Sequence, residues 1–374
     1  MTRFLVFFIL FGHGVIHLLG FVKELNLGVV KQLSGKTLFT LTGTTAKSLG
    51  ILWLITCMIL IFAAAAYLLR SDWWWIAAIT GVILSQTLII IYWPDAKYGT
   101  IANIIILIAC ILAYGKWDFG RMVRREIPDF MPGSSSEKVI VTEDMLKGLP
   151  PVIGNWLRHT GIVGKEIIRT AHLSQTGQMK SKPDGNWMPF CAEQHFTLDR
   201  PGFHWTVDVE AMPVMNLTGR DIYKDGSGNM LIKIMSLVPV VNSKGKEINQ
   251  GSMLRFLAEA AWMPSFALSS YLKWEESDST TAKVTMTYGG VTASGVFKFN
   301  RNCDMVGFEA MRYFERKEGP TLEKWVIETK ESDFKEFEGI RIPYKSAVTW
   351  KLKSGDYHWL DVEIAKIEYN KVTF

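Results

Sequence analysis

Cysteine and charge are both scarce in this chain. The four cysteines, Cys57, Cys110, Cys191 and Cys303, are scattered, and no CxxC pair occurs. Neither a disulfide framework nor a zinc knuckle is expected, because both need clustered cysteines. Charged residues make up only 21% of the chain and hydrophobic residues 48%. This composition is typical of a membrane protein with a soluble part attached.

The C-terminal part lacks an excess of either charge. Residues 116–374 hold 34 Lys/Arg and 33 Asp/Glu, whereas residues 1–115 hold seven Lys/Arg and three Asp/Glu. Nucleic-acid binding requires a basic patch on a folded domain. We therefore expect no nucleic-acid partner.

Catalytic and cofactor motifs are also missing. The sequence contains no GxSxG, HExxH, P-loop or GxGxxG. Hydrolase, metalloprotease and nucleotide-binding functions therefore lack support. No cofactor is predicted, and whether the chain is an enzyme stays open.

Four long apolar runs predict four membrane-spanning helices. They cover residues 4–22, 49–69, 73–93 and 98–114. Aromatic belts, "DWWW" and "YWP", flank the third run, as expected at membrane interfaces. The first run is followed by "FVKELNLG" without a small-residue cleavage pattern, so we expect it to remain as a span. Four crossings place both termini on one side. The count of positive residues does not decide which side, because six Lys/Arg favour one orientation and five the other.

These patterns predict three regions. Residues 1–115 form the four-helix membrane domain, and residues 141–374 form a second domain. Between them, residues 116–140 begin with basic side chains and become rich in Pro, Gly and Ser, which is typical of a juxtamembrane linker.

Two histidines interrupt the first apolar run, in "FGHGVIHLLG". On a helix His13, His17, Gly20 and Glu24 share one face, and this polar stripe should turn toward the other helices. Haem ligation by two histidines is not expected, because both lie on one face of one helix. A metal site completed by a neighbouring helix, a proton or quinone site, and hydrogen bonding that only fixes the packing all remain open.

The C-terminal part alternates apolar and polar residues in segments separated by turn signals. This predicts about ten antiparallel strands. "TYGGVT" is the clearest hairpin, with Gly289-Gly290 as a two-residue turn. One helix, "NQGSMLRFLAEAAWMP", interrupts the strands and places Arg255 and Glu259 one turn apart. The expected fold is a curved sheet or open barrel with this helix on its concave side.

The apolar residues of this domain suggest a cavity. Twelve of the 16 methionines follow residue 140, among eight tryptophans. Side chains of these types can line a cavity that accepts flexible chains, although they can also fill an irregular core. The candidate ligand-binding residues are Met253, Phe256, Leu257, Trp262 and Trp350.

One hairpin, "AEQHFTLDRPGFHWTVDVE", carries the strongest polar cluster of this domain. Strand alternation places Glu193, His195, His204 and Asp208 on one face. Two histidines and two carboxylates could hold a metal or perform acid–base chemistry. A solvated sheet face gives the same pattern with no function.

Several stretches resemble an uncharacterised bacterial family of membrane proteins. They are "GKEIIRTAHLSQTGQMK", "WMPFCAEQHFTLDRPGFHW", "GRDIYKDGSGNMLIKIMSLVPVV" and "INQGSMLRFLAEAAWMP", and the "GHGVIHLLGF" and "WPDAKYGTIAN" stretches resemble the four-helix part of some members. The resemblance implies a lipoprotein-carrier-like (LolA-like) half-open antiparallel barrel over residues 142–370, with helices plugging an apolar cavity. It implies no activity, so no functional residue is carried over. The sequence has no N-terminal lipobox cysteine, so a lipidated form is not expected.

The sequence thus predicts four spans followed by a LolA-like antiparallel half-barrel. We expect a multi-pass protein of the bacterial cytoplasmic membrane that contacts membrane lipids and binds a lipid, acyl chain or other apolar ligand. The alternatives are a membrane redox or metal enzyme using His13 and His17, and a module that docks a protein partner without ligand. The ligand, the partner and the side of the membrane remain open.

Overall fold

The computed structural model describes residues 2–31, 33–131, 138–213 and 215–371. The chain divides into two compact units, Met1–Gly120 and Arg121–Phe374.

The N-terminal unit is helical. Its helices are α1 (Thr2–Glu24), α2 (Gly43–Leu68), α3 (Trp74–Ile91), the short α4 (Trp93–Ala96) and α5 (Gly99–Phe130). Within the described part of the chain, α1, α2, α3 and α5 are long and apolar enough to cross a membrane. Large apolar side chains such as Phe8, Ile16 and Phe62 are exposed on them, as lipid-facing residues would be. The four predicted apolar helices are confirmed.

Helix α5 is longer than the sequence suggested. It spans 32 residues without a break and includes residues 116–130 of the segment assigned as a linker. Pro128 lies in its last turn, where the helix ends two residues later. Residues 132–137, the Pro-, Gly- and Ser-rich part of that segment, lie outside the described residues.

The C-terminal unit is mostly antiparallel sheet. A 3-10 turn (Glu143–Leu146) and helix α6 (Pro151–His159) precede the strands, and helix α7 (Lys246–Glu259) interrupts them. The strands are β1 (Thr170–Met179), β2 (Met188–Thr197), β3 (Gly202–Met212), β4 (Met215–Lys224), β5 (Ser227–Ile234), β6 (Val238–Ser243), β7 (Leu272–Asp278), β8 (Thr281–Tyr288), β9 (Val291–Phe299), β10 (Met305–Phe314), β11 (Thr321–Glu328), β12 (Phe334–Phe337), β13 (Ile340–Pro343), β14 (Lys345–Leu352) and β15 (Gly355–Tyr369). The estimate of about ten strands was too low.

Thirteen strands form one sheet in the order β6-β5-β4-β3-β2-β1-β15-β14-β11-β10-β9-β8-β7, and β12 and β13 form a separate hairpin. Nearly all neighbours in the large sheet are consecutive in sequence. The exceptions are β1–β15, which joins the two ends of the domain, and β11–β14.

The large sheet is strongly curled. The β4–β5 turn meets the β8–β9 turn, since a Cβ atom on Gly226 would lie 2.5 Å from the Gly289 carbonyl oxygen. Helix α7 contacts β4 and β5 on one side and β9 and β10 on the other, so it lies in the concavity. The predicted antiparallel half-barrel with an internal helix is confirmed.

Local sequence explains the tightest turn. Tyr288 pairs with Val291, leaving Gly289 and Gly290 as a two-residue loop. Both glycines have positive φ, 56° and 77°, which a type I′ hairpin turn requires.

Candidate functional site

Helix α7 has two faces of opposite character. Met253, Phe256 and Leu257 share one stripe, and all three are fully buried. The other stripe carries Arg255 and Glu259, half a helical turn away. The first stripe packs into the core of the half-barrel, where the Phe256 ring contacts the rings of its neighbours. Those neighbours are Phe196, Tyr223 and Phe266.

The second stripe borders a cavity on the concave face of the sheet. The cavity has a volume of about 240 Å³. Arg255, Ala258 and Glu259 of α7 line it, together with Ala261 and Trp262 of the 3-10 turn that follows α7 (Ala260–Trp262). The apolar lining from the strands includes Met179, Phe190, Val207, Val209, Leu217, Met230, Ile232, Met305, Phe308, Trp325, Ile327 and Leu360.

The structure separates the five residues predicted for ligand binding. Trp262 lines the cavity. Met253, Phe256 and Leu257 lie in the packed core instead, because the apolar stripe of α7 faces the interior of the half-barrel. Trp350 belongs to the same core and packs against Phe314 and Trp325 rather than lining the cavity.

One end of the cavity is polar and densely hydrogen-bonded. Arg255 forms ion pairs with Asp221 (Nη1–Oδ2 2.9 Å) and with Glu259 (Nε–Oε1 2.8 Å). Gln194 donates to the second Glu259 oxygen at 2.8 Å and accepts a hydrogen bond from Gln175. The predicted pairing of Arg255 with Glu259 is present, and Asp221 is a third member that the helix pattern alone did not show.

Burial and ion pairing shift the pKa values of Arg255 and Glu259 in opposite directions. Burial disfavours a charged Arg255, but Glu259 and Asp221 outweigh it and raise its pKa. Burial raises the pKa of the Glu259 carboxyl despite its pairing with Arg255. The guanidinium of Arg255 also lies over the rings of Phe203 (4.7 Å) and Trp205 (4.6 Å).

Arg312 is a further cation at this cavity, and sequence analysis missed it. It extends from β10, where alternation places it on the same face as Phe308, Ala310 and Phe314. Its guanidinium lies 4.7 Å from the centroid of the Trp325 ring. The signal was available, since an arginine interrupts the apolar face of "GFEAMRYF".

The polar cluster predicted on the β2–β3 hairpin is only partly assembled. His195 and His204 are cross-strand neighbours, and His172 of β1 stacks on His195 with ring centroids 4.3 Å apart. Glu193 pairs with His172 at 2.9 Å, whereas Asp208 is exposed and paired in register with Cys191. The face therefore carries a row of three histidines rather than a single convergent cluster.

Burial makes a positive charge on His195 unfavourable. Burial, together with the neighbouring His172 and His204, lowers the pKa of His195 to about 4. Glu126 from the end of α5 lies 2.9 Å from His204 and 3.0 Å from Arg220 of β4. The row is thus partly covered by the last turns of α5.

The histidines of α1 take part in a hydrogen-bond network across the helices. The Nδ1 atom of His17 donates to the His13 carbonyl oxygen at 2.7 Å, so its Nε2 atom is free to accept from the Ser85 hydroxyl at 2.9 Å. The Nε2 atom of His13 lies 2.9 Å from Asn103 Oδ1, and Asn103 Nδ2 donates to Ser85 at 3.0 Å. The predicted inward stripe is present, since His13, His17 and Gly20 are all buried.

No metal-binding cluster is found among the described residues. In the described part of the chain, no group of three or more His, Cys, Asp or Glu side chains is arranged so that it could hold a metal ion. The polar neighbours of His13 and His17 are a hydroxyl and an amide, which are weak ligands for a transition metal.

The fold and cavity define a class: four apolar helices followed by an antiparallel half-barrel with a cavity on its concave face. A family model covers residues 139–362 and describes a family of unknown function (DUF6544). The chain belongs to this family. The resemblance noted from the sequence is therefore confirmed.

Comparisons with other proteins add little about function. None of the curated proteins matches the chain significantly. Among solved structures, an outer membrane lipoprotein-sorting protein domain from Vibrio parahaemolyticus is 8% identical, with a TM-score of 0.30, covering 55% of this chain and 87% of that one. A DUF1329 family protein from Desulfovibrio piger is 8% identical, with a TM-score of 0.33, covering 60% and 93%. Because both TM-scores are below 0.5, no property of these proteins is carried over to this chain.

Proposed function

We propose that this protein binds an apolar or amphipathic molecule, a lipid or acyl chain, in the concave cavity of its half-barrel. Four helices would anchor it in the bacterial cytoplasmic membrane. The observation that supports this most is the cavity itself, which has about 240 Å³ of space and a lining of Met, Val, Leu, Ile and aromatic side chains.

The physical argument rests on the character of that wall. A cavity lined by apolar side chains favours apolar ligands, because each methylene removed from water contributes about 0.8 kcal/mol. Methionines such as Met179, Met230 and Met305 adapt to chains of different shape. Polar groups concentrated at one end fix a ligand's orientation. Membrane anchoring keeps the domain near its source of apolar molecules.

The two alternatives have less support. A redox or metal enzyme built on His13 and His17 would need free ligand atoms, yet both rings are engaged in the network with Ser85 and Asn103. A protein-docking module would not need an internal cavity. It becomes the favoured function if the protein ignores every apolar probe.

The first test is lipid analysis of the full-length protein. Mass spectrometry after gentle purification should find a bound lipid or fatty acid in stoichiometric amount. The purified protein, after removal of that ligand, should take up a neutral fluorescent acyl probe.

A pair of matched variants ties uptake to the cavity. Leu217→Trp adds an indole to a residue that lines the cavity, and Leu322→Trp adds the same group at an exposed residue of β11 that does not line it. Filling the cavity should abolish uptake in the first variant and leave it unchanged in the second. Equal uptake by both variants would place the probe elsewhere and contradict the proposal.

A further inference from the structure

Of the two arginines at the polar end of the cavity, Arg255 has two carboxylate partners and Arg312 has none among the described residues. Asp221 and Glu259 both make close ion pairs with Arg255. Arg312, in contrast, has no hydrogen bond or ion pair to any residue that the structure describes, and its contacts are with the rings of Trp325 and Trp350. Arg312 is half-buried, and a cation partly withdrawn from water normally has a counter-charge in contact, because desolvation is costly.

The charge of Arg312 persists in spite of this environment. Burial and the like charge of Arg255 lower its pKa to about 10, while Asp221 and Glu259 act in the opposite direction. A pKa of about 10 leaves the guanidinium protonated at neutral pH.

Two more donors that line the cavity are unused. The indole N–H groups of Trp325 and Trp359 are buried and have no hydrogen-bond partner among the described residues. Both side chains line the cavity together with Arg312. An indole N–H can only donate, as can a guanidinium. The cavity therefore offers several hydrogen-bond donors in addition to the positive charge of Arg312.

Helix α7 holds the guanidinium close to the cavity wall. A Cβ atom added to Gly251 would lie 3.2 Å from Arg312 Nε, so the helix backbone passes directly beside it. Gly251 lies on the same stripe of α7 as Arg255. The position of Arg312 is thus set by ring contacts on one side and by the helix on the other.

We propose that the ligand carries one compact anionic group, a carboxylate or a phosphate, which Arg312 binds while the apolar tail lies along the apolar wall. This inference rests on the proposed function and names its ligand class. A planar guanidinium matches both oxyanions, and such charge-assisted hydrogen bonds are about twice as strong as neutral ones. Binding would supply the partner that Arg312 lacks.

Four probes separate the anionic group from the tail. Palmitate, hexadecyl phosphate, hexadecanol and inorganic phosphate are each tested for displacement of a neutral fluorescent acyl probe from the full-length protein in non-ionic detergent at pH 7.5. Palmitate or hexadecyl phosphate should bind at least about tenfold more tightly than hexadecanol, since hydrogen bonds to charged groups differ from neutral ones by about that factor. Inorganic phosphate alone should displace no probe.

Variants assign the selectivity to one side chain. Arg312→Met should reduce affinity for palmitate about tenfold and leave hexadecanol unchanged, whereas Arg312→Lys should retain part of the preference for the acid. Arg316→Met is the matched control. Arg316 lies just beyond the end of the same strand, pairs with Glu323 and does not line the cavity, so its loss should change neither affinity.

The outcomes distinguish this inference from the proposed function. Equal affinity of the unmodified protein for palmitate, hexadecyl phosphate and hexadecanol would overturn the proposal of an anionic group but leave the proposed apolar binding site intact. This comparison uses only the unmodified protein, so it does not depend on any variant folding. Phosphate binding as tight as that of hexadecyl phosphate would indicate a simple anion site and also overturn it. If no apolar probe binds at all, the proposed function fails and this inference fails with it.

Discussion

Gly226 and Gly289 touch across the open side of the curled sheet. A Cβ atom on Gly289 would lie 2.5 Å from the Cα atom of Gly226, and both residues have positive φ. The two hairpin turns can approach this closely only because neither Gly226 nor Gly289 carries a side chain. This contact fixes how far the half-barrel closes around α7.

Replacing one of these glycines should loosen the closure. Gly290→Ala has the same positive-φ strain as Gly289→Ala but has open space around its Cβ position, so it is the matched control. We expect Gly290→Ala to cost about 1–2 kcal/mol in unfolding free energy. Gly289→Ala should cost about 1–3 kcal/mol more through steric overlap.

Chemical denaturation of the full-length protein, followed by tryptophan fluorescence, measures both values. Equal losses for the two variants would mean that the turns do not contact each other in solution.

Buried His195 predicts that the protein is less stable in acid. His195 has its pKa lowered to about 4 in the folded protein by burial, and the unfolded chain has the ordinary value near 6.5. Between these pH values the unfolded state binds more protons, so stability is present above pH 6.5 and is lost as the pH falls toward 4. The expected loss is roughly 2–3 kcal/mol.

His195→Asn should remove most of this dependence between pH 6.5 and pH 5, where carboxylates contribute little. Unfolding midpoints of the variant and the unmodified protein across this range give the comparison. A slope unchanged by the substitution would assign the acid sensitivity to other groups.

Ser85 is the point where the helix network converges, because His13, His17 and Asn103 all lie within hydrogen-bonding distance of its hydroxyl. Ser85→Ala should destabilise the helical unit by roughly 1–2 kcal/mol, the value of a few interhelical hydrogen bonds. Thr87→Ala is the control, since that exposed hydroxyl bonds only to Ile83 of its own helix. Unfolding in increasing anionic detergent compares the two.

The same network predicts the metal content of the protein. Elemental analysis of untagged protein should find no ion that is lost in the His13→Ala, His17→Ala double variant. A stoichiometric ion that disappears with these side chains would favour the metal or redox enzyme over packing.

Topology provides a further prediction. If all four candidate helices cross a membrane, both ends of the chain should lie on one side of it, because four is an even number. Compartment reporters fused before Thr2 and after Phe374 should give the same result. Opposite results would mean that one of the four helices does not cross.

Regular patterns made much of this fold predictable. The four apolar runs, the Gly289-Gly290 turn and the alternating faces of the β2–β3 hairpin depend on local spacing, and all appear in the structure. The pairing of Arg255 with Glu259 is also local, one helical turn apart.

The cavity was less predictable because it depends on how distant elements face one another. Periodicity showed that Phe256 and Leu257 form an apolar stripe, but not that this stripe fills the core while Arg255 borders the cavity. Arg312 lines the cavity only because β10 packs beside α7. Likewise, the sequence placed Glu126 in a linker, whereas in the structure α5 extends to Phe130 and Glu126 contacts His204.

The pairing of β1 with β15 also constrains the order in which the domain can form. Ala171 lies opposite Tyr369, and Thr170 is hydrogen-bonded to Asn370, 200 residues further along the chain. Closing so large a loop is entropically costly and slows folding. During synthesis, the hairpins on either side can form early, but the centre of the sheet must wait until β15 has left the ribosome. Until then the incomplete domain exposes two unpaired strand edges, which makes it a natural client for chaperones.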